Sequence, residues 1–219
     1  DLAMRGRSRC PGAPGARCGR ILAVLLAIAS PGPADAAQSA APSSDACRGV
    51  PTAPTAAHQA SPDAYAAWMR DWLALDWGQL CRYAAQNAAL PPASRQRVVM
   101  MGDSITEGWQ PAMPSFFAGD VLDRGISGQT TGQMLLRFRQ DVIDLHPAVV
   151  HLMGGTNDVA GNTGPYSPDR VLANVESMIE LAQAHGVRVV LAAVPPADRF
   201  TWRPGLRPAA SIRALNGRL

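Results

Sequence analysis

The sequence predicts an α/β protein in which a parallel sheet is covered by helices on both faces. Three observations predict it. From residue 97 onward, short apolar runs alternate with stretches whose apolar residues recur at helical spacing. The runs are continuous rather than alternating, as in strands buried on both faces. Each of the first three runs leads directly into a glycine-rich string, which places polar residues at the carboxyl ends of strands, where open α/β sheets bind ligands. Crossovers between such strands are expected to be right-handed. At 219 residues and 47% hydrophobic content, the chain is long and apolar enough for one domain with extensions.

The elements follow in order. Residues 1–36 resemble a secretory signal: a basic start, an apolar stretch from Ile21 to Ala29, then a small-x-small pattern ending at Ala36. The apolar stretch is too short for a stable membrane anchor. Met4 is read as a candidate start, with residues 1–3 as a candidate reading-frame artefact. Residues 37–62, rich in Ala, Pro, Ser and Thr, read as a linker. Residues 63–92 read as a helical segment. Ser61-Pro62-Asp63 caps its start, Gly78 is a break point, and Pro91-Pro92 ends it. Its stripe of Tyr65, Trp68, Met69, Trp72, Leu75 and Leu80 is either a lipid or sugar surface or, the favoured reading, a face packed on the domain.

Val98 to Met101 is the first strand and Val121 to Ile126 a weaker second one. Thr131 to Leu145 is predicted helical, stopped by Pro147, and Ala148 to Met153 is the third strand. Ser167-Pro168-Asp169 caps the next helix, and Gly186 lies where its left-handed end belongs. Val187 to Val194 is the fourth strand, and Pro208 to Leu219 begins another helix.

The formal charge of +3 comes from the leader: residues 1–36 carry five arginines against two aspartates, so the remainder is neutral. A neutral body excludes a general nucleic-acid binder, which needs a basic footprint. Cys47 and Cys81 remain beyond the leader, either bridged or as two thiols. No Cys/His spacing resembles a zinc site, so no metal is expected.

Three strings carry the chemistry. Gly102-Asp103-Ser104-Ile105-Thr106-Glu107-Gly108-Trp109 follows the first strand, Arg124-Gly125-Ile126-Ser127-Gly128-Gln129-Thr130 the second, and Gly154-Gly155-Thr156-Asn157-Asp158 the third. Each alone reads as turn chemistry. In this order, each after a strand, they resemble the SGNH, or GDSL, family of serine esterases and lipases. The resemblance implies a three-layer α/β/α, flavodoxin-like fold over residues 93–219. It implies Ser104 as nucleophile, and an oxyanion hole made by the backbone N–H of Ser104, the backbone N–H of Gly128 and the side-chain amide of Asn157. Asp103 is expected to orient its loop, Asp158 to cap the segment after it, and Glu107 to reach back toward the Ser104 turn.

The family's catalytic Asp-x-x-His is absent from this chain. His58, His146, His151 and His185 each read as structural. The resemblance breaks off within the last helix, so the sequence is expected to be truncated, with the last strand and helix missing and the chain inactive as given. The expected reaction is hydrolysis of a carboxylic ester, with no cofactor, by an exported protein, secreted or periplasmic. Its partner is a small-molecule, carbohydrate or lipid ester substrate, with no nucleic acid and no stable membrane anchor; the sequence carries no signal for oligomeric state. Alternatives are a carbohydrate O-acetylesterase, a lysophospholipase or thioesterase of the same fold, and a non-catalytic glycan- or lipid-binding module. Pro195-Pro196 and Phe200-Thr201-Trp202 either line the acyl pocket or form a structural loop.

Overall fold

The structure is a computed structural model that describes residues 46–219. The signal-like segment 1–36 and the first part of the linker, through residue 45, lie outside the described residues.

In chain order the described elements are α1 (Ala56–Gln59), α2 (Pro62–Leu75), α3 (Ala84–Ala88), β1 (Val98–Gly102), α4 (Ser104–Glu107), α5 (Trp109–Ala112) and β2 (Val121–Gly125). They continue with α6 (Thr131–Asp141), a 3₁₀ turn (Ile143–Leu145), β3 (Val149–Leu152), α7 (Thr156–Val159), α8 (Pro168–Ala184), β4 (Arg188–Leu191) and α9 (Ala209–Asn216). The strands form one parallel sheet in the order β2-β1-β3-β4. In this order the chain leaves β1 toward one side for β2, then returns past it to β3. The crevice between the carboxyl ends of β1 and β3 is therefore the topological switch point, where such sheets bind ligands.

Local chemistry fixes the helix ends. Ser61 accepts a hydrogen bond from the Ala64 N–H and Pro62 opens α2. Ser167 and Pro168 repeat the arrangement at α8. Gly186, at φ +71°, ends α8 as expected. The helix predicted to run to Leu145 stops at Asp141 and tightens into the 3₁₀ turn, which His146 closes in a left-handed conformation. The predicted 63–92 helix is two pieces, α2 and α3, separated by a turned segment around Gly78. Part of the expected linker is ordered: it carries α1 and Cys47, which is disulfide-bonded to Cys81.

One main core forms between the sheet and the long helices. Val99, Met101, Val150 and Leu152 bury against Met134 and Phe138 of α6 and Val171, Val175 and Met178 of α8. Coverage of the two faces is unequal. On the other face Trp109 packs against His151 of β3, tilted 36° with ring centroids 5.7 Å apart, and Val190 of β4 is half exposed. A second, smaller cluster joins Trp68, Trp72 and Tyr83 of the N-terminal segment to Ile126, just past β2. The favoured reading of the aromatic stripe holds for those two indoles, while Tyr65 stays partly open.

Candidate active site

β1 ends at Gly102, and Asp103 turns the chain into α4 by accepting the Ile105 N–H at 2.9 Å. Ser104 is the first residue of α4 and is exposed. Its hydroxyl makes no hydrogen bond with any described residue. β2 ends directly beneath this turn. A Cβ on Gly125 would collide with the backbone at Glu107 and Asp103, so only glycine allows the approach.

Asn157, buried at the start of α7, ties the three strings together. Its Nδ2 donates to the Gln129 carbonyl at 2.9 Å, next to Gly128, and stands 3.4 Å from Asp103 Oδ2, next to Ser104. Asn162 extends the link by donating to the Gly128 carbonyl at 3.1 Å and to Asn157 Oδ1 at 3.0 Å. Gly128 itself holds φ +80°, a conformation open to glycine at no steric cost. Trp202 leans onto the same loops through its indole N–H to Asn162 Oδ1 at 3.3 Å, while Phe200 beside it is buried in the core.

The acids take other roles than a sequence string shows. Asp103 orients its loop as expected. Burial pushes its carboxyl up to about 6, and the charge of Asp158 adds to the rise. Asp158 does not cap the segment after it; it accepts the N–H and hydroxyl of Thr131, across the chain at the start of α6. Glu107 reaches away from Ser104, receiving the Ser127 N–H at 2.8 Å, the Ser127 hydroxyl, and Arg82 at 2.9 Å.

Beneath the loops runs a buried polar network that pattern reading misses. Arg137, fully buried, donates to Gln129 Oε1 at 2.6 Å, to Asp141 at 3.1 Å and to the Gly102 carbonyl at 3.1 Å. Gln129 Nε2 donates to Gln79 Oε1 at 3.0 Å and to the Gly78 carbonyl at 3.2 Å. The Tyr83 hydroxyl donates to the Gly125 carbonyl. One guanidinium thus grips the end of β1 and, through Gln129, the loop that carries Gly128. Its only local hint is the Arg137/Asp141 spacing of four on a helix.

None of the four histidines bonds to Ser104. His58 Nδ1 pairs with Thr55, His185 Nδ1 lies 2.8 Å from the Leu181 carbonyl, and His146 is exposed beyond the 3₁₀ turn. His151 is packed against Trp109, with burial lowering its basicity.

Residues 100–219 match the GDSL-like lipase/acylhydrolase family. An uncharacterized lipoprotein of Bacillus subtilis (strain 168), YqeF, is 35% identical over 112 residues, 43% of this chain and 46% of that protein. An arylesterase of Vibrio mimicus is 32% identical over 132 residues, 53% of this chain and 61% of that protein. The chain spans about half the length of these curated relatives. The crystal structure of a GDSL-like lipase from Bacteroides thetaiotaomicron VPI-5482 is 48% identical, with a TM-score of 0.64 over 65% of this chain and 72% of that one.

Proposed function

The chain belongs to the GDSL-like lipase/acylhydrolase family, and from that premise we propose that it hydrolyses carboxylic esters through Ser104. The Ser104 oxygen attacks the ester carbonyl carbon, the carbonyl oxygen takes the negative charge, and the C–O bond to the alcohol breaks as the alcohol leaves with a proton. Water then cleaves the acyl-serine bond, releasing the acid and restoring the hydroxyl. The N–H groups of Ser104 and Gly128 and the amide of Asn157 meet the oxyanion, each such donor typically contributing on the order of 3 kcal/mol. The observation that carries this reading is the position of Asn157, bonded to residues adjacent to both other donors. One of its amide hydrogens is held by Gln129; the other meets Asp103 Oδ2 at 3.4 Å and is the one assigned to the oxyanion.

Among the described residues none is hydrogen-bonded to the Ser104 hydroxyl. Labelling with an alkylphosphonate p-nitrophenyl ester tests the reading. Label on Ser104, absent from Ser104→Ala, supports it; an unlabelled Ser104 overturns it.

We also infer export. The signal-like leader, the Cys47–Cys81 disulfide and the lipoprotein among the relatives support it. Among the described residues no helix is long and apolar enough to cross a membrane.

A further inference from the structure

Asn162 lies outside the three glycine-rich strings, just past the last of them, yet its side chain holds two of the three groups assigned to the oxyanion. Its Nδ2 donates to the Gly128 carbonyl at 3.1 Å and to Asn157 Oδ1 at 3.0 Å. An amide NH₂ carries two hydrogens, so one serves each acceptor. The backbone adds another tie, from the Asn162 N–H to the Asn157 carbonyl at 3.0 Å. Gly161, at φ +71°, makes the tight return from α7 to Asn162.

The two side-chain ties fix different things. At Asn157 the tie fixes which way the amide faces. Its Nδ2 meets two acceptors, the Gln129 carbonyl and Asp103 Oδ2, and its Oδ1 meets a donor, Asn162 Nδ2. A reversed amide would set oxygen against oxygen at Gln129 and NH₂ against NH₂ at Asn162. At Gly128 the tie fixes a backbone with the freedom of glycine, whose N–H keeps one direction only if both neighbours are held. Glu107 takes the Ser127 N–H at 2.8 Å on one side, and Asn162 takes the Gly128 carbonyl on the other.

Asn162 is itself set from a distant part of the chain. A turn between β4 and α9 is closed by an antiparallel bridge between Phe200 and Arg203. From this turn Trp202 donates its indole N–H to Asn162 Oδ1 at 3.3 Å, and Arg203 donates to the Gly161 carbonyl at 3.0 Å. Phe200 is buried and stacks on Trp202 with ring centroids 4.7 Å apart, while Trp202 is half exposed. Water would satisfy an exposed indole, so folding does not require this bond; its effect is to orient Asn162. Both hydrogens and the oxygen of the Asn162 amide are engaged, and a reversed amide would lose all three bonds.

We propose that Asn162 is a positioning residue that sets the directions of the Asn157 amide and the Gly128 N–H, and that Trp202 acts on both through Asn162. That these donors meet an oxyanion rests on the ester-hydrolase reading above; the relay from Trp202 rests on the contacts alone.

The test uses the 219-residue chain with Asn162→Ala, Trp202→Phe and the double variant. Trp202→Phe keeps a ring against Phe200 and loses the N–H. Ser104 labelling by the alkylphosphonate p-nitrophenyl ester, followed over a range of probe concentrations, separates probe binding from the bond-forming step. Asn162→Ala is expected to slow the bond-forming step about thirtyfold, and Trp202→Phe about fivefold, with the half-saturating concentration unchanged. The double variant is expected to be no slower than Asn162→Ala, because Trp202 acts through Asn162. Asn162→Asp, equal in size but without an N–H to give, is expected to be at least as slow as Asn162→Ala. In ¹⁵N-labelled chains the Asn157 Nδ2 hydrogens and the Gly128 N–H are expected to exchange with water about fivefold faster in Trp202→Phe, although Trp202 bonds to neither residue. Equal labelling rates in parent and variants, additive losses in the double variant, or unchanged exchange in Trp202→Phe each overturn the proposal. Exchange does not depend on Ser104 labelling. An unlabelled parent chain with faster exchange in Trp202→Phe removes the hydrolase reading and keeps the relay; a labelled parent with unchanged exchange does the reverse.

Discussion

Asp103 stands one residue before the proposed nucleophile with its carboxyl buried and its proton held up to about pH 6. An unfolded chain releases that proton near 3.8. Between these values the folded state binds more protons than the unfolded one, so stability falls as pH rises from about 4 to about 6 and is level above that. Asp123 at the end of β2, also raised to about 6 by burial, acts in the same direction. We expect Asp103→Asn to flatten this fall, read as melting temperature across that pH window. An unchanged slope would assign the effect to other groups. Arg137 is the opposite case, a buried charge with each of its three guanidinium nitrogens hydrogen-bonded. Arg137→Met takes the ion partner from the buried Asp141 carboxylate, leaving it the Asn87 amide, and leaves the Gly102 carbonyl with the Ile126 N–H alone. Breaking a buried pair from one side costs roughly 3–5 kcal/mol, so a loss of that size is expected in urea denaturation. A loss nearer that of a surface substitution would show that the network is dispensable.

The segment from α2 to α3 is where sequence and structure part. α2 itself is legible from its Ser-Pro start and its apolar spacing, and β1, β3 and α8 from theirs, because those signals are local. The turned stretch that follows is held by contacts with no local signature. Asp76 accepts the N–H groups of Leu80 and Cys81, each at 2.8 Å, and Gln79 adopts a left-handed φ of +56° while its side chain accepts from Gln129, 50 residues on. The same limit applies to the site. Ser104, Gly128 and Asn157 are legible as motif positions. That Asp158 serves α6, and that Glu107 serves Ser127, follows only from how the strands bring their loops together. The disulfide fixes this segment at one end. It closes a loop of 34 residues, for which chain entropy predicts about 3–4 kcal/mol. The Cys47→Ser, Cys81→Ser double variant is therefore expected to melt at a lower temperature, and to exchange its amide hydrogens around residues 62–88 faster than those of β1. Uniform exchange in the two regions would show that the segment and the sheet unfold as one unit.

At the scale of the molecule, the sheet has one well-covered face and one partly open one. Among the described residues β4 pairs only with β3, and Val190 is 52% exposed. An unpaired edge beside exposed apolar surface promotes association between copies. The chain is expected to self-associate with rising concentration, and Val190→Lys to reduce this, both read by size-exclusion chromatography with light scattering. A monomer at every concentration would count against it. The order of assembly carries another consequence. Trp68 and Trp72 cluster with Ile126, Tyr83 bonds to Gly125, and Gly78 and Gln79 bond to Gln129. A ribosome makes one side of each contact some fifty residues before the other, an interval of about 3–10 s at ordinary elongation rates. For that time two indoles of the growing chain stand in water without their partner surface, open to a chaperone. The aromatic side chains of α2 are thus made well before the loop that covers them, and a pause in translation ahead of β2 would lengthen their exposure.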